Sequence, residues 1–124
     1  MKILIVEPMR HPRRADIPNT LRSLQNTVGG YIQAIYPYDD PVAVVCNEEG
    51  KLEGLELNRY IPEAMDIIAG TFFICGLGEE DFTDLPDDLA DKYEQLFHSP
   101  QAFCVTSVGI LAIEENGREV MIRL

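Results

Sequence analysis

Residues 66–75 constrain the fold of this chain more than any other segment. They read Asp-Ile-Ile-Ala-Gly-Thr-Phe-Phe-Ile-Cys, so that after the aspartate the run is apolar apart from Gly70 and Thr71. A strand of this composition has no polar face, and it must lie in the middle of a sheet or be covered on both sides. A length of 124 residues allows one domain, residues 1–124, to build such a core.

Two helices are predicted, one before this strand and one after it. The first follows Asn19, a good N-cap, and places Leu21, Leu24 and Val28 on one face, with Gly29 as its C-cap. The second begins at a proline. The residues expected on its buried face are Leu85, Leu89, Tyr93, Leu96 and Phe97.

Strand and turn signals divide the rest of the chain. Strands are expected at residues 2–6, 31–36, 42–46 and 66–75, with a last hairpin of 103–113 and 119–124 around Asn116-Gly117. Residues 51–55 are expected to return antiparallel to 42–46 around Gly50, residues 57–63 to form a helical turn, and residues 9–18 a loop. Because helices and strands do not alternate regularly, we predict an α+β fold: a mixed, mainly antiparallel sheet of about six strands with two helices packed on it.

Charge is distributed unevenly along the chain. The formal net charge is −11, and residues 39–94 hold sixteen acidic side chains against three basic ones. Residues 1–38 hold five basic side chains against two acidic ones, three of the basic ones between Arg10 and Arg14. Nucleic-acid binding needs a positive surface, so we expect no direct nucleic-acid binding, whereas a basic protein is a suitable partner.

The apolar runs of the sequence are short. None approaches the roughly 20 residues that a membrane-spanning helix needs, and the first, Ile3 to Val6, is too short for the core of a signal peptide. We therefore expect a cytoplasmic protein that does not bind membranes.

The sequence carries no recognisable catalytic or metal-binding motif. Its three cysteines, Cys46, Cys75 and Cys104, lie singly in apolar segments and are expected to be buried thiols. Neither Cys-x-x-Cys nor His-x-x-x-His occurs, and no serine stands in a nucleophile-elbow context. These observations favour a protein without a metal or cofactor, and they leave its status as an enzyme uncertain, leaning towards no.

Arg59 is the only arginine between Arg22 and Arg118, and it lies in acidic sequence. One interpretation is a structural ion pair with Glu56 or Glu63. The other is an anion-binding pocket, because a planar guanidinium suits carboxylate or phosphate groups. The ligand-binding residues in that interpretation are Asn47, Asn58, Arg59 and Thr71.

An acidic segment follows the apolar strand. We predict that it forms a partner-facing acidic patch, whose members are Glu79, Glu80, Asp81, Asp84, Asp87 and Asp88. The ligand spacing of a calcium-binding loop is absent, and adjacent carboxylates diverge on an extended chain, so no metal site is predicted here. A phosphate-binding glycine loop is also disfavoured, because these carboxylates would repel the phosphate.

Several segments together resemble a known family. They are Val28-Gly-Gly-Tyr-Ile32, Cys46-Asn-Glu-Glu-Gly-Lys51, Leu57-Asn-Arg59, Asp66-Ile-Ile-Ala-Gly-Thr-Phe72 and Asp81-Phe82. In these segments the chain is similar to the family catalogued as domain of unknown function 3846, small bacterial and phage proteins. The resemblance implies a setting on phages or conjugative elements, and it implies no activity and no catalytic residue. The hairpin after Phe103 departs most from the family pattern.

Three functions are compatible with these observations. The first, which we expect, is a non-enzymatic protein-interaction module, an accessory or inhibitor protein that presents its acidic middle to a basic partner. The second is a small-molecule or nucleotide-binding protein with an anion-binding pocket around Arg59. The third is a hydrolase that uses carboxylates among Asp39, Asp40 and Asp66. The sequence leaves the oligomeric state open.

Overall fold

The computed structural model describes residues 1–123 and has the predicted α+β architecture. The helices are α1 (Leu21–Val28) and α2 (Asp87–Leu96), and a 3₁₀ turn covers Pro62–Ala64. The strands of the first half are β1 (Lys2–Val6), β2 (Arg13–Asp16), β3 (Ile32–Ile35), β4 (Val42–Asn47), β5 (Leu57–Ile61) and β6 (Asp66–Ala69). The remaining strands are β7 (Phe72–Leu77), β8 (Phe82–Thr83), β9 (Gln101–Thr106), β10 (Gly109–Glu114) and β11 (Glu119–Arg123).

The main sheet has six strands, all paired antiparallel. Its order is β2-β1-β7-β4-β3, and β8 pairs with the end of β7. The strand β7 lies at the centre, where Ile74 is opposite both Leu4 of β1 and Val44 of β4. This arrangement confirms the prediction of an antiparallel sheet of about six strands with the most apolar segment in its middle.

Both faces of this sheet are covered, because side chains of β1, β4 and β7 alternate between two apolar clusters. One cluster joins the sheet to α1 through Leu24 and Val28. The other joins the opposite face to α2 and to the β5–β6 hairpin. Its members outside the six-stranded sheet include Ile61, Ile68, Ala90, Tyr93 and Phe97. The three central strands therefore have no solvent-facing side, which explains their continuous apolar sequence.

Two smaller sheets complete the structure. The strands β5 and β6 form a hairpin, and β11-β10-β9 form a three-stranded antiparallel sheet. A third cluster lies between them, with Ile67 of the hairpin packed near Ala112 and Ile122 of the three-stranded sheet. The three-stranded sheet is therefore attached to the rest of the molecule mainly through the hairpin.

The segment 66–75 is divided between two sheets, which corrects the prediction of one long strand. The division falls at Gly70, whose φ of +83° is in the left-handed region. A Cβ at Gly70 would lie 2.7 Å from Cδ1 of Leu55, so a larger residue would also displace the end of that side chain.

Three further segments differ from their predictions. Residues 13–16 form β2 instead of a loop, because Ala15 pairs with Ile3 and packs on the α1 side of the sheet. Residues 51–55 form turns instead of a returning strand, since Leu55 N–H donates to the carbonyl of Gly50 (2.9 Å). Residues 57–61 form a strand instead of a helical turn, and the helical turn starts only at Pro62.

The helices lie where they were predicted, with differences at single residues. The N-cap of α1 is Thr20, whose hydroxyl accepts from Ser23 N–H (3.2 Å), and not Asn19, whose side-chain amide donates to the Phe82 carbonyl (3.0 Å). Gly29 is the predicted C-cap, with φ of +78°. On α2, Leu96 is 55% exposed instead of buried, because the helix turns this position away from the sheet.

The C-terminal segment forms three strands instead of two. Its long predicted strand is broken at residues 107–108, between β9 and β10. The predicted turn at Asn116-Gly117 is present, and the Asn116 side chain accepts from Arg118 N–H (2.9 Å). Cys104 is exposed on this sheet, unlike the buried Cys46 and Cys75. The last residue of the predicted hairpin, 124, lies outside the described residues.

Candidate functional site

The Arg59 side chain is buried and bound on all sides by the protein itself. Its Nε and Nη2 donate to the carbonyl of Phe97 (3.2 and 2.9 Å), and Nη2 also donates to the carbonyl of Arg10 (2.7 Å). Its Nη1 donates to the carbonyl and to Oδ1 of Asn58 (3.4 and 2.9 Å). A guanidinium has five N–H groups, and all five are used by these acceptors.

Asn58 continues this network towards the sheet. Its side-chain amide donates to the carbonyls of Val6 and Gly70, each at 2.9 Å, while its Oδ1 accepts from Arg59. Asn58 is fully buried and Arg59 is 2% exposed. The pair therefore connects the end of β1, the Gly70 turn and the end of α2.

The charge of Arg59 is balanced by carbonyl groups and not by an ion pair. Within residues 1–123 no carboxylate lies at ion-pair distance from it, so the predicted pair with Glu56 or Glu63 is wrong. Burial lowers the pKa of the guanidinium to about 10, an effect that the negative charges of Glu114 and Glu115 oppose. The group stays charged at neutral pH and lies at the negative end of the α2 dipole.

A cleft of about 290 Å³ lies beside Arg59, between the end of α2, β5 and the three-stranded sheet. Its charged lining consists of Arg59, Arg118, Glu63 and Glu114. Arg118 is exposed and pairs with Glu114 at 3.6 Å. The lining therefore has both signs of charge, and Arg118 is its accessible cation.

The other residues predicted to bind the same ligand lie elsewhere. Asn47 is buried, donates to the carbonyl of Val28 (3.3 Å) and accepts from Glu49 N–H (2.8 Å), so it shapes the turn after β4. It lines a different cleft from Arg59. Thr71 is half-buried in the link between β6 and β7 and lines neither cleft. The structure thus brings together Asn58 and Arg59 only.

The predicted acidic patch lies at one end of the six-stranded sheet. We call this region the acidic end and define it as residues 78–88, from the loop after β7 to the first turn of α2. All six predicted acidic residues in it are exposed. Two are used locally: Asp84 accepts from Lys2 N–H (2.8 Å), and Asp81 accepts from Phe82 N–H (2.7 Å).

Arg14 offsets part of the negative charge where this region meets α2. Its guanidinium pairs with Glu94 (2.9 Å) and Asp91, and it lies 3.9 Å from Asp87. The hydrogen bonds that Arg14 donates to Glu94 and then to Asp91 raise the pKa of its guanidinium. Glu79, Glu80 and Asp88 have no basic side chain at ion-pair distance in the described part of the chain. The uncompensated carboxylates of the acidic end therefore lie both in its loop and in the first turn of α2.

The sequence predicts residues 9–18 to be a loop and assigns Arg14 no partner, so it does not predict this role. In the structure β2 pairs with β1, which places Arg14 opposite Leu4 and on the α2 side of the sheet. A sequence pattern that predicts strand β2 would have indicated this position. The apolar residues Ala15 and Ile17 at alternate positions carried this signal.

The three carboxylates considered for hydrolysis each have a structural partner or a solvent-exposed position. Asp40 accepts from Lys92 Nζ and from Tyr93 Oη, each at 2.7 Å, and these hydrogen bonds, the one from Lys92 first, lower its pKa. Asp66 pairs with Lys51, and Asp39 is exposed. Among the residues described, no three His, Cys, Asp or Glu side chains form a group that could hold a metal ion.

The structure describes a small α+β protein with a double-covered antiparallel sheet, an Asn-Arg network in its core and an acidic end. A family model for Domain of unknown function (DUF3846) matches residues 1–98, and the chain therefore belongs to that family. No curated protein and no solved structure matches it. The match ends before β9, so the three-stranded sheet lies outside the matched region.

No helix within residues 1–123 is long and apolar enough to cross a membrane.

Proposed function

We propose that this protein is a non-enzymatic interaction module that binds a basic protein through its acidic end. The supporting observation is that Glu79, Glu80 and Asp88 are exposed and have no basic side chain at ion-pair distance within residues 1–123. Arg14 offsets only part of the negative charge on the neighbouring face of α2. The setting on a phage or conjugative element, implied by the family resemblance, is part of the same proposal: the partner is a basic protein of the host or of the element.

The physical basis is long-range attraction. The segment 39–94, which contains the acidic end, carries a net charge of −13, which the rest of the chain reduces to the total of −11. A surface of one sign attracts a partner of the opposite sign and accelerates their encounter, and salt screens the effect within about 8–10 Å. Binding through the acidic end should therefore weaken steeply as the salt concentration rises.

A pair of matched double variants tests this proposal. E79K/E80K reverses two charges of the acidic end, and E48K/E49K makes the same change in net charge after β4, at the opposite end of the sheet. Each protein is immobilised and exposed to host lysate at low ionic strength. We expect the same polypeptide on wild type and on E48K/E49K, its loss on E79K/E80K, and its release by salt.

Retention of that polypeptide by E79K/E80K would contradict the proposal, as would retention that does not respond to salt. Circular dichroism of both variants establishes that they are folded. The retained polypeptide is then identified and its charge is compared with the basic partner that the proposal requires.

A second candidate is supported by the cleft beside Arg59. We propose it as a binding site for a small anion, held by Arg118, because Arg59 has no N–H group left for a ligand. Inorganic phosphate and a nucleoside monophosphate are the probes, and thermal stabilisation is the readout. Stabilisation that R118A abolishes and that R22A, at an exposed site on α1, preserves would support this function; no stabilisation of wild type would reject it.

A further inference from the structure

Within residues 1–123 no strand pairs with the outer edge of β11. It is the outermost strand of the sheet β11-β10-β9. Glu114 N–H donates to the carbonyl of Arg118 (2.8 Å), so these two residues form a hydrogen-bonded pair. The pair of Ala112 and Val120 lies two residues further along the same two strands. Hydrogen-bonded pairs alternate along antiparallel strands, so Val120 and Ile122 bond to β10. The N–H and carbonyl groups of the odd-numbered residues 119, 121 and 123 therefore point away from the sheet.

The side chains of these same residues share the outer face of the sheet. Val120 and Ile122 point inward to the cluster with the β5–β6 hairpin, whereas Glu119, Met121 and Arg123 are exposed. Met121 is 40% exposed. It begins an apolar row across the outer face, which continues through Leu111 and Cys104.

The order of these side chains is self-complementary. If β11 pairs antiparallel with β11 of a second copy about a two-fold axis at Met121, each Met121 lies opposite the other. Glu119 of one copy then lies opposite Arg123 of the other, and this happens twice. Shifting the axis by one residue would place Glu119 opposite Met121 and would lose both charge pairs.

We propose that the protein forms a homodimer by antiparallel pairing of β11 with β11 of a second copy. The two three-stranded sheets then become one continuous six-stranded sheet. The three residue pairs that face each other are of the hydrogen-bonded type, which exchange two hydrogen bonds each. The apolar row from Cys104 to Met121 continues into the same row of the other copy.

The charge of the chain also favours this edge over other surfaces. Residues 95–123 hold three acidic and two basic side chains, whereas residues 39–94 carry the large negative excess. Two copies that meet at β11 therefore keep their acidic ends out of the contact. Monomeric proteins protect sheet edges with charges that repel a second copy. The Glu119 and Arg123 pair does the reverse, because each attracts the other across the two-fold axis.

Charge-swap variants of the full chain test the dimer by sedimentation or light scattering. Wild type is expected at twice the chain mass of 14.0 kDa. E119R and R123E each place like charges opposite one another at two positions, which should raise the dissociation constant at least about tenfold. E119R/R123E restores both pairs with reversed polarity and should return to the wild-type value.

Mixing the two single variants provides a stricter test. E119R has two arginines on this edge and R123E has two glutamates. The mixture should therefore form heterodimers at concentrations at which each variant alone is monomeric. E53R, at an exposed position in the turn after β4, is the control for a change in net charge and should remain dimeric.

Three results would overturn the proposal. They are a monomeric wild type at high micromolar concentration, dimers that the single variants do not weaken, and a double variant that stays as weak as the singles. Circular dichroism of each variant shows that β11 substitutions have not unfolded the chain. The dimer edge and the acidic end are separate surfaces, so each proposal can fail without the other.

Discussion

The guanidinium of Arg59 joins parts of the chain that are distant in sequence. It binds the carbonyl of Arg10 in the loop after β1 and that of Phe97 at the end of α2. Without Arg59 the buried carbonyl of Phe97 and the partly buried carbonyl of Arg10 would lose this donor, and an unsatisfied buried polar group is costly. Arg59 therefore acts as a core residue, although its charge is typical of a surface.

We predict that Arg59→Met destabilises the protein by about 3 kcal/mol, because methionine fills the space and leaves the carbonyls unpaired. Arg59→Lys should cost a similar amount, since an ammonium cannot reproduce the planar fork. Urea unfolding measures the change, with an expected fall of at least about 1 M in the midpoint. Arg22→Met on the exposed side of α1 is the control. A midpoint unchanged in Arg59→Met would show that the network contributes no stability.

Asp40 gives a prediction about pH. Its hydrogen bonds from Lys92 and Tyr93 lower its pKa, so the ionised carboxylate stabilises the folded state. That contribution is present above the ordinary carboxylate pKa of about 3.9 and is lost as the pH falls through the lowered value. Asp40→Asn should therefore be less stable than wild type at pH 7, and the difference should shrink in acid.

Melting temperatures between pH 7 and acid check this prediction. Asp39→Asn, which removes the same charge at the exposed neighbouring carboxylate, is the matched control. A difference between Asp40→Asn and wild type that stays constant with pH would contradict the proposed role of the ionised carboxylate.

The sequence marked Asn58 and Arg59 as unusual but could not show what they do. A polar pair between apolar segments is visible in the sequence. Its partners are main-chain carbonyls of Val6, Arg10, Gly70 and Phe97, and every residue has a carbonyl. No side-chain pattern can therefore identify them, and an ion pair with a nearby acid was the natural expectation.

At the scale of elements, periodicity identified most strands and both helices but not the sheets to which they belong. The apolar pattern of residues 66–75 is compatible with one long strand and with two shorter strands, so it does not predict the division. The division at Gly70 depends on its positive φ and on the space occupied by Leu55, which is a tertiary contact. The strand β2 was missed because its pattern is short and lies among prolines and arginines.

The three-stranded sheet should unfold separately from the six-stranded sheet. Ala112 is fully buried at its contact with the β5–β6 hairpin, so Ala112→Asp places a carboxylate in an apolar contact. We expect loss of amide-exchange protection in β9, β10 and β11, with protection in β1, β4 and β7 retained.

Ala102→Asp provides the matched control for this prediction. Ala102 lies on β9 of the same sheet but on its exposed face, where a carboxylate remains hydrated. Protection should be preserved throughout Ala102→Asp. Loss of protection in the central strands of Ala112→Asp would instead show that the two sheets unfold as one unit.

At the scale of the whole molecule, repulsion among acidic side chains dominates the electrostatics. The net charge is −11, and the exposed ion pairs, such as those of Arg14, contribute little each. Added salt screens the repulsion, so we predict a melting temperature that rises with NaCl concentration.

The variant E79K/E80K tests whether the acidic end is a main source of this repulsion. Its net charge is −7 instead of −11, and the rise in melting temperature with salt should be smaller than in wild type. E48K/E49K has the same net charge and separates the effect of position from that of charge alone. A melting temperature that falls with salt in wild type would mean that ion pairs outweigh repulsion.

The central position of β7 determines when the molecule can fold during its synthesis. Leu4 of β1 pairs with Ile74, so the first strand waits for seventy further residues, or roughly 4–14 s at about 5–20 residues per second. Until then β1 and β4 lack the strand between them. The arrival of β7 joins these strands into one sheet, and the layer on the α2 side closes only when residues 87–97 follow. A ribosome stalled before Leu77 would therefore hold a chain with its apolar strands exposed, a suitable substrate for chaperones.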